Sequence, residues 1–321
     1  MHDARSAFQE LVRVLDTVLR VRGRGVPPHT RRCVAADILL VAARKRTAAL
    51  IDAFAMTPKL CEALVSALQS CAGGWARELV LVALAPAGQV FFVNRRLMSE
   101  RWPCARGAAA QPFPVFVEAT GGRLRRRIPI PPNSYALLQC IAHGCAASAT
   151  AVAFTALPHQ SQCVQACSVA ACGWLLEYPI VYALAASGDA QSVSWAEDAL
   201  GSPAVTAQWA DAAWEPMESN LRSVQLALVR ADVVCAPVGH AHPPRTYPFP
   251  LPHHMLSYSI PLDLPDGASM AAQAARYTET VLQTRMDAGC NASELPCAWM
   301  GPWPVNVRIH MTQVDMDRVA L

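Results

Sequence analysis

Lysine is almost missing from this chain. Of its 27 basic residues only Lys45 and Lys59 are lysine, and the rest are arginine. Alanine, arginine, proline and glycine share GC-rich codons, so the bias by itself reports genome composition and does not mark a nucleic-acid binder. Charge of either sign is also scarce, at 16% against 53% apolar residues. A disordered chain has the reverse balance, because it cannot bury enough apolar area to offset the entropy of ordering. A sizeable core is therefore expected from 321 residues. Familiar signatures are absent too. There is no Gly-x-Ser-x-Gly elbow, no Walker-type phosphate loop and no Gly-x-Gly-x-x-Gly turn. Hydrolase and nucleotide-binding readings thereby lose their usual support. No repeat of fixed period is visible. The start, Met-His-Asp-Ala-Arg, lacks the apolar segment of a secretory signal, and Asp3, Glu10 and Asp16 argue against an acid-poor transit peptide. An intracellular protein, cytoplasmic or nuclear, is the expectation.

What charge there is lies unevenly. The net charge is +3, but residues 1–132 carry 20 basic and 9 acidic side chains, and residues 133–321 carry 7 and 15. Such asymmetry marks either an anionic partner at one end or two faces of one domain that attract each other. The second is favoured, since sequence alone does not cluster charges in space. Residues 135–157 are nearly uncharged and about as long as a bilayer span. They are rich in Ala, Cys, Ser and Thr and contain Gln139 and His143, so buried helices are expected and no membrane association.

Cysteine, in contrast, occurs 12 times. In a long apolar chain without a signal peptide, free buried thiols are expected in place of a disulfide framework. The densest set is Cys163, Cys167 and Cys172, with Cys140, His143 and Cys145 upstream. Zinc usually takes ligands from close pairs, and these spacings fit neither zinc ribbons nor iron–sulfur runs. On a helix Cys163 and Cys167 share a face, while Cys172 lies about 140° from Cys167. Packing as small hydrophobes is the expectation. His240, His242, His253 and His254 follow Cys235, and His-x-His on a strand would place both rings on one side. Six prolines between 237 and 252 instead predict a mobile Pro/His-rich loop over about 236–254. No metal site is assigned, and no cofactor is indicated.

Apolar periodicity predicts an amphipathic helix over about 6–21 and another over 31–43. A short buried strand is expected at 47–54. Thr57-Pro58 predicts a capped helix start, and Gly73-Gly74 its end. Strands at 78–85 and 89–94, separated by Pro86-Ala87-Gly88, predict an antiparallel hairpin. A strand at 114–120 precedes a basic, Pro-rich loop at 123–132. Helices are expected over 133–157 and 161–176, a strand at 179–185, and a loop with short helical pieces at 187–219. Strands at 221–230 and 255–262, a helix at 268–286 and a strand at 305–311 complete the chain. Pro179 can sit only at the start of its strand. Both faces of that strand are apolar, which predicts a central position in the sheet, with Tyr178 at the helix–sheet seam. The fold class is α+β: a single domain over 1–321, with a mixed, partly antiparallel sheet covered by helices.

The segments Gly173-Trp174-Leu175-Leu176-Glu177-Tyr178-Pro179-Ile180-Val181-Tyr182 and Leu256-Ser257-Tyr258-Ser259-Ile260-Pro261 resemble the uncharacterised family represented by human chromosome 1 open reading frame 74. Members show a Leu-Leu-x-Tyr-Pro-Val/Ile element running into a strand, and later a Tyr-Ser-Phe/Ile-x-Pro-like strand. Asp37-Ile38-Leu39-Leu40 and Ala49-Leu50-Ile51-Asp52 sit where that family has two Asp-containing segments. Glu177 departs from the small residue expected there. The resemblance implies an intracellular α/β-type protein of similar length and no particular reaction.

Acidic and amide side chains at strand ends are the catalytic candidates: Asp52, Glu118 and Glu177, with Asn94. A carboxylate in an apolar run is costly to bury unless paired, so ion pairs with arginines are the competing explanation. Arg123, Arg125, Arg126 and Arg127 are the anion-binding candidates, although no aromatic residue is interleaved for base stacking. Three functions follow. The leading one is a non-enzymatic intracellular protein that acts through protein contacts. The rival is an enzyme whose pocket gathers Asp52, Asn94, Glu118 and Glu177. The third is a binder of nucleic acid or another polyanion through the Arg-rich N-terminal half.

Overall fold

Leu11, Leu15 and Leu19 recur every four residues, and helix α1 (Ala4–Val21) turns this stripe inward. Helix α2 (Pro28–Ala42) is apolar almost all round from Val34 to Ala42, and only Asp37 in that stretch is partly exposed. Helix α3 (Pro58–Gln69) starts as its sequence predicts: the Thr57 hydroxyl accepts the Leu60 N–H at 3.3 Å, with Pro58 in the first turn. The computed structural model describes residues 4–21, 25–71, 75–84, 89–101, 114–120, 123–147, 153–157, 161–184, 221–235, 249, 251–262, 264, 266–288 and 305–319.

The fold is α+β, with seven α-helices and three sheets among the described residues. The first sheet runs β1 (Ala48–Leu50), β3 (Gln89–Asn94), β2 (Leu79–Leu84), β6 (Ala153–Leu157). It is antiparallel except for the β2–β6 pair. Its two central strands alternate between two apolar layers. Leu79, Leu81, Val90 and Phe92 face α1, α2 and α3, whereas Val80, Val82, Phe91 and Val93 face helices α5 (Pro132–Ala147) and α6 (Ser161–Leu175). The second sheet is β5 (Arg123–Ile128), β4 (Val115–Thr120), β7 (Ile180–Leu184). The third is β10 (Val305–Val319), β8 (Leu221–Cys235), β9 (His253–Pro261), antiparallel throughout. Helix α7 (Gly267–Asp287) covers its inner face. There the Tyr258 hydroxyl lies 2.7 Å from the Thr278 hydroxyl and donates to the Ala274 carbonyl at 3.2 Å. The Gln283 amide bonds both Val307 N–H (2.8 Å) and Val305 C=O (3.1 Å) on β10. Gly267 is required where β9 turns into α7, because a Cβ there would lie 2.6 Å from the Pro261 carbonyl oxygen.

Several expectations are corrected. Residues 123–128 form strand β5, not a loop, since Leu124 and Ile128 pair with Ala119 and Phe116 of β4. The run 133–157 divides into α5 and a parallel strand, β6. Helix α4 (Arg95–Arg101) follows β3 directly, capped by the Asn94 side chain, which accepts the Leu97 N–H at 3.1 Å. Strand β7 is buried on both faces, but among the described residues it pairs only with β4 and stands at the end of its sheet. Apolar faces report burial between layers, and burial does not require a ladder on each side. Strand β9 begins at His253, so that histidine and His254 belong to the sheet and not to the Pro/His-rich loop. Most of that loop lies outside the described residues, as do 187–219 and the side chains of Cys163 and Cys167. No helix among the described residues is long and apolar enough to cross a membrane.

Candidate functional site

Strand β9 contains an irregularity that determines what its outer face presents. Ala231 pairs with Leu256 and Asp232 with His254, so Met255 is an extra residue opposite β8. In a regular strand His254 and Ser257, three residues apart, point to opposite faces. The bulge brings them to the same one. Ser257 Oγ lies 3.0 Å from His254 Nε2, and His254 Nδ1 lies 3.0 Å from Asp232 Oδ1. An ionised carboxylate only accepts hydrogen bonds, so the proton between His254 and Asp232 sits on Nδ1. In the neutral ring Nε2 is then an acceptor for the Ser257 hydroxyl.

Arg230 donates its Nε to both Asp232 oxygens, at 2.9 and 3.0 Å. Burial by itself would raise the Asp232 pKa. The hydrogen bonds from Arg230 and His254 outweigh it and hold the carboxyl below its usual range. Asp232 is therefore a carboxylate at neutral pH, oriented from two sides. His254 is 43% exposed at its side chain, so the serine–histidine pair is open to solvent. The terminal amino groups of Arg230 bond no described residue. The backbone of Arg230 is the register partner of Ser257 across the ladder.

The four strand-end candidates have other surroundings. Glu177 follows α6 with φ of 65°, an uncommon backbone state for a residue with a Cβ. Its carboxylate accepts Thr47 N–H at 3.0 Å and Arg285 Nη1 at 2.6 Å, and lies 3.7 Å from Arg101 Nη1. Burial would raise its pKa, but the Arg285 and Arg101 charges hold it far below the usual carboxylate range. Arg101 in turn stacks over Trp174, 4.2 Å from the ring centre. Asn94 lies on the other side of Thr47, whose carbonyl accepts its backbone N–H at 2.8 Å, while its side chain donates to Val41 C=O at 2.9 Å. Glu177 and Asn94 thus meet around Thr47, and both are committed to tying elements together. Asp52 is exposed after β1, and Glu118 sits at the irregularity of β4. Of the arginine candidates, Arg127 is exposed and pairs with Asp266. The side chains of Arg123, Arg125 and Arg126 lie outside the described residues.

Other polar groups are structural. Lys45 is buried, and its ammonium donates to the carbonyls of Arg285 and Ala288, each at 2.7 Å, closing the C-terminal end of α7. Asp37 Oδ1 is 3.1 Å from both Arg46 Nη1 and His253 Nε2, which fastens α2 to β9. The described cysteines Cys33, Cys61, Cys71, Cys140, Cys145 and Cys172 are free. Burial pushes Cys61, Cys71 and Cys145 up to about 12, so these thiols stay protonated and pack as apolar groups. No group of His, Cys, Asp and Glu among the described residues is arranged to hold a metal ion.

The sequence points to His254 only as a metal ligand and gives no reason to single out Ser257 or Asp232. Asp232 is 22 residues before His254, and the spacing of His254 and Ser257 argues against a shared face. The one local signal is a serine, a histidine and an acid on paired strands. No protein-family model, curated protein or solved structure matches the chain.

Proposed function

We propose that the outer face of the β8–β9–β10 sheet is the active site of a serine-dependent acyl-transfer enzyme, a hydrolase of esters or thioesters. The observation that carries this reading is the continuous relay of Ser257, His254 and Asp232, joined by two contacts of 3.0 Å. A nucleophile, a base and a group that orients the base, within hydrogen-bond reach of one another, are what nucleophilic catalysis needs. Ser257 Oγ attacks the acyl carbon while its proton passes to His254 Nε2, and the carbonyl π electrons move onto oxygen. The guanidinium of Arg230, whose residue pairs with Ser257 across the ladder, supplies the N–H groups that stabilise that oxyanion. Collapse expels the alcohol or thiol, which takes the proton from His254. Water, deprotonated by His254, then attacks the acyl-serine and releases the acid. Asp232 holds the imidazole tautomer and stabilises the imidazolium formed at each step.

Labelling with a neutral fluorophosphonate tests the reading, because only an activated serine reacts at a useful rate. The native protein is expected to take one label, mapped to Ser257 by mass spectrometry, and Ser257→Ala and His254→Ala to take none. Labelling no faster than that of unfolded protein, or unchanged in Ser257→Ala, excludes it.

A second reading, contact with another protein, is favoured by β10. Over its 15 residues this strand pairs on one side only, among the described residues, and Met311 on it is 53% exposed. Intracellular placement is supported by the free thiols, which a reducing compartment preserves. Kinship with the family represented by human chromosome 1 open reading frame 74 is supported by the Leu175–Tyr182 and Leu256–Pro261 segments, which form a helix–strand joint and part of β9.

A further inference from the structure

The face that carries Ser257 holds more positive charge than the attack on a neutral ester uses. Its residues lie on a lattice read from the strand register. One row is Ser257, Arg230 and His310; the next is His254, Asp232 and Arg308. Asp232 is shared by Arg230 and the two histidines around it. Arg230 bonds it through Nε, His254 bonds it through Nδ1, and His310 Nε2 stands 3.9 Å from its second oxygen. Arg308 is different. It is exposed and makes no hydrogen bond or ion pair with any described residue. Its guanidinium, unpaired among the described residues, is on the same exposed face of the sheet as the nucleophile.

Neighbouring strands lie about 4.8 Å apart and same-face residues about 6.8 Å apart along a strand, which puts the Ser257 and Arg308 backbones about 12 Å from each other. A short acyl chain and the long Arg308 side chain together bridge that gap. We infer, resting on the acyl-transfer reading, that the substrate is an anionic ester or thioester whose acyl part ends in a second acid group, with Arg308 and His310 gripping that group while Ser257 attacks the acyl carbon. Guanidinium is the side chain best suited to a planar carboxylate, which it can bind through two parallel hydrogen bonds. An uncharged acyl chain of the same length gains nothing from β10.

The test compares two p-nitrophenyl esters on the whole chain: the butyrate, which is neutral, and the adipate half-ester, which carries a free carboxylate. The wild type is expected to prefer the half-ester in kcat/KM, through KM, and to lose that preference as salt is raised. In Arg308→Ala the preference should fall about three- to fivefold, the worth of one exposed charge contact, and in Arg308→Glu it should reverse. His310→Gln is a second variant that keeps a neutral donor and should lower the preference less. Turnover of both esters with a ratio unmoved by Arg308→Glu overturns the anionic substrate and leaves the nucleophile standing. Turnover of neither, together with no fluorophosphonate label on Ser257, overturns both.

Discussion

Ser257 and His254 stand three residues apart on one strand and still meet, with Oγ 3.0 Å from Nε2. The cause is Met255, the unpaired residue of a bulge opposite Ala231 and Asp232. One extra residue shifts the alternation by one and brings to the outer face a pair that a regular strand would separate.

Asp232 is the residue through which this arrangement can be tested without removing the nucleophile or the base. Asp232→Asn keeps the shape but offers an amide N–H as well as an oxygen, so His254 is no longer held with its proton on Nδ1. The rate of fluorophosphonate labelling should fall by about 10²–10⁴-fold, in line with the loss expected when an orienting carboxylate is neutralised. A rate within twofold of the wild type would mean that Asp232 only balances Arg230. Circular dichroism distinguishes orientation from misfolding: the variant should stay folded, with the wild-type spectrum and denaturation midpoint.

Glu177 makes a different prediction, one of stability. Its pKa is depressed in the folded state by Arg285 and Arg101, and in the unfolded chain it returns to about 4.3. A depressed folded pKa means a contribution that is complete above the unfolded value and is lost as pH falls below it toward the folded value. The wild-type urea midpoint should therefore decline below about pH 5 more steeply than that of Glu177→Gln. At neutral pH the variant should be less stable by about 3–5 kcal/mol, because Arg285 is left buried without its counter-charge. Equal acid slopes in the two proteins would show that the carboxylate is not paired in solution.

Ile180 tests the joint between α6 and β7. It is 1% exposed and sits first in the strand after Pro179. Ile180→Ala should cost about 2–5 kcal/mol, the range for buried aliphatic truncation, although β7 pairs on one side only among the described residues. A denaturation midpoint equivalent to a loss below about 1 kcal/mol would mean that the layer over β7 opens in solution.

Much of the fold is legible in the amino-acid order itself. The α1 stripe, the Thr57-Pro58 cap, the β2–β3 hairpin and the helix-to-strand change at Pro179 all follow from interactions within a few residues: apolar period, side-chain capping, and the missing N–H of proline. The elements that the sequence misstates depend on distant partners. Strand β5 is a row of arginines that becomes a strand because β4 lies beside it, and β6 is an alanine-rich run made extended by pairing with β2.

The candidate site belongs wholly to the second kind. By itself the sequence determined an apolar α+β chain, with Glu177 as an acid that needs partners, because composition and period act locally and burial of a charge has a known cost. Only the tertiary structure decided that Glu177 would be matched by Arg285, 108 positions away, and that Ser257, His254 and Asp232 would meet. Strand register and a single bulge set those distances, and both are chosen by the packing of β9 between β8 and α7, which no local run of residues encodes.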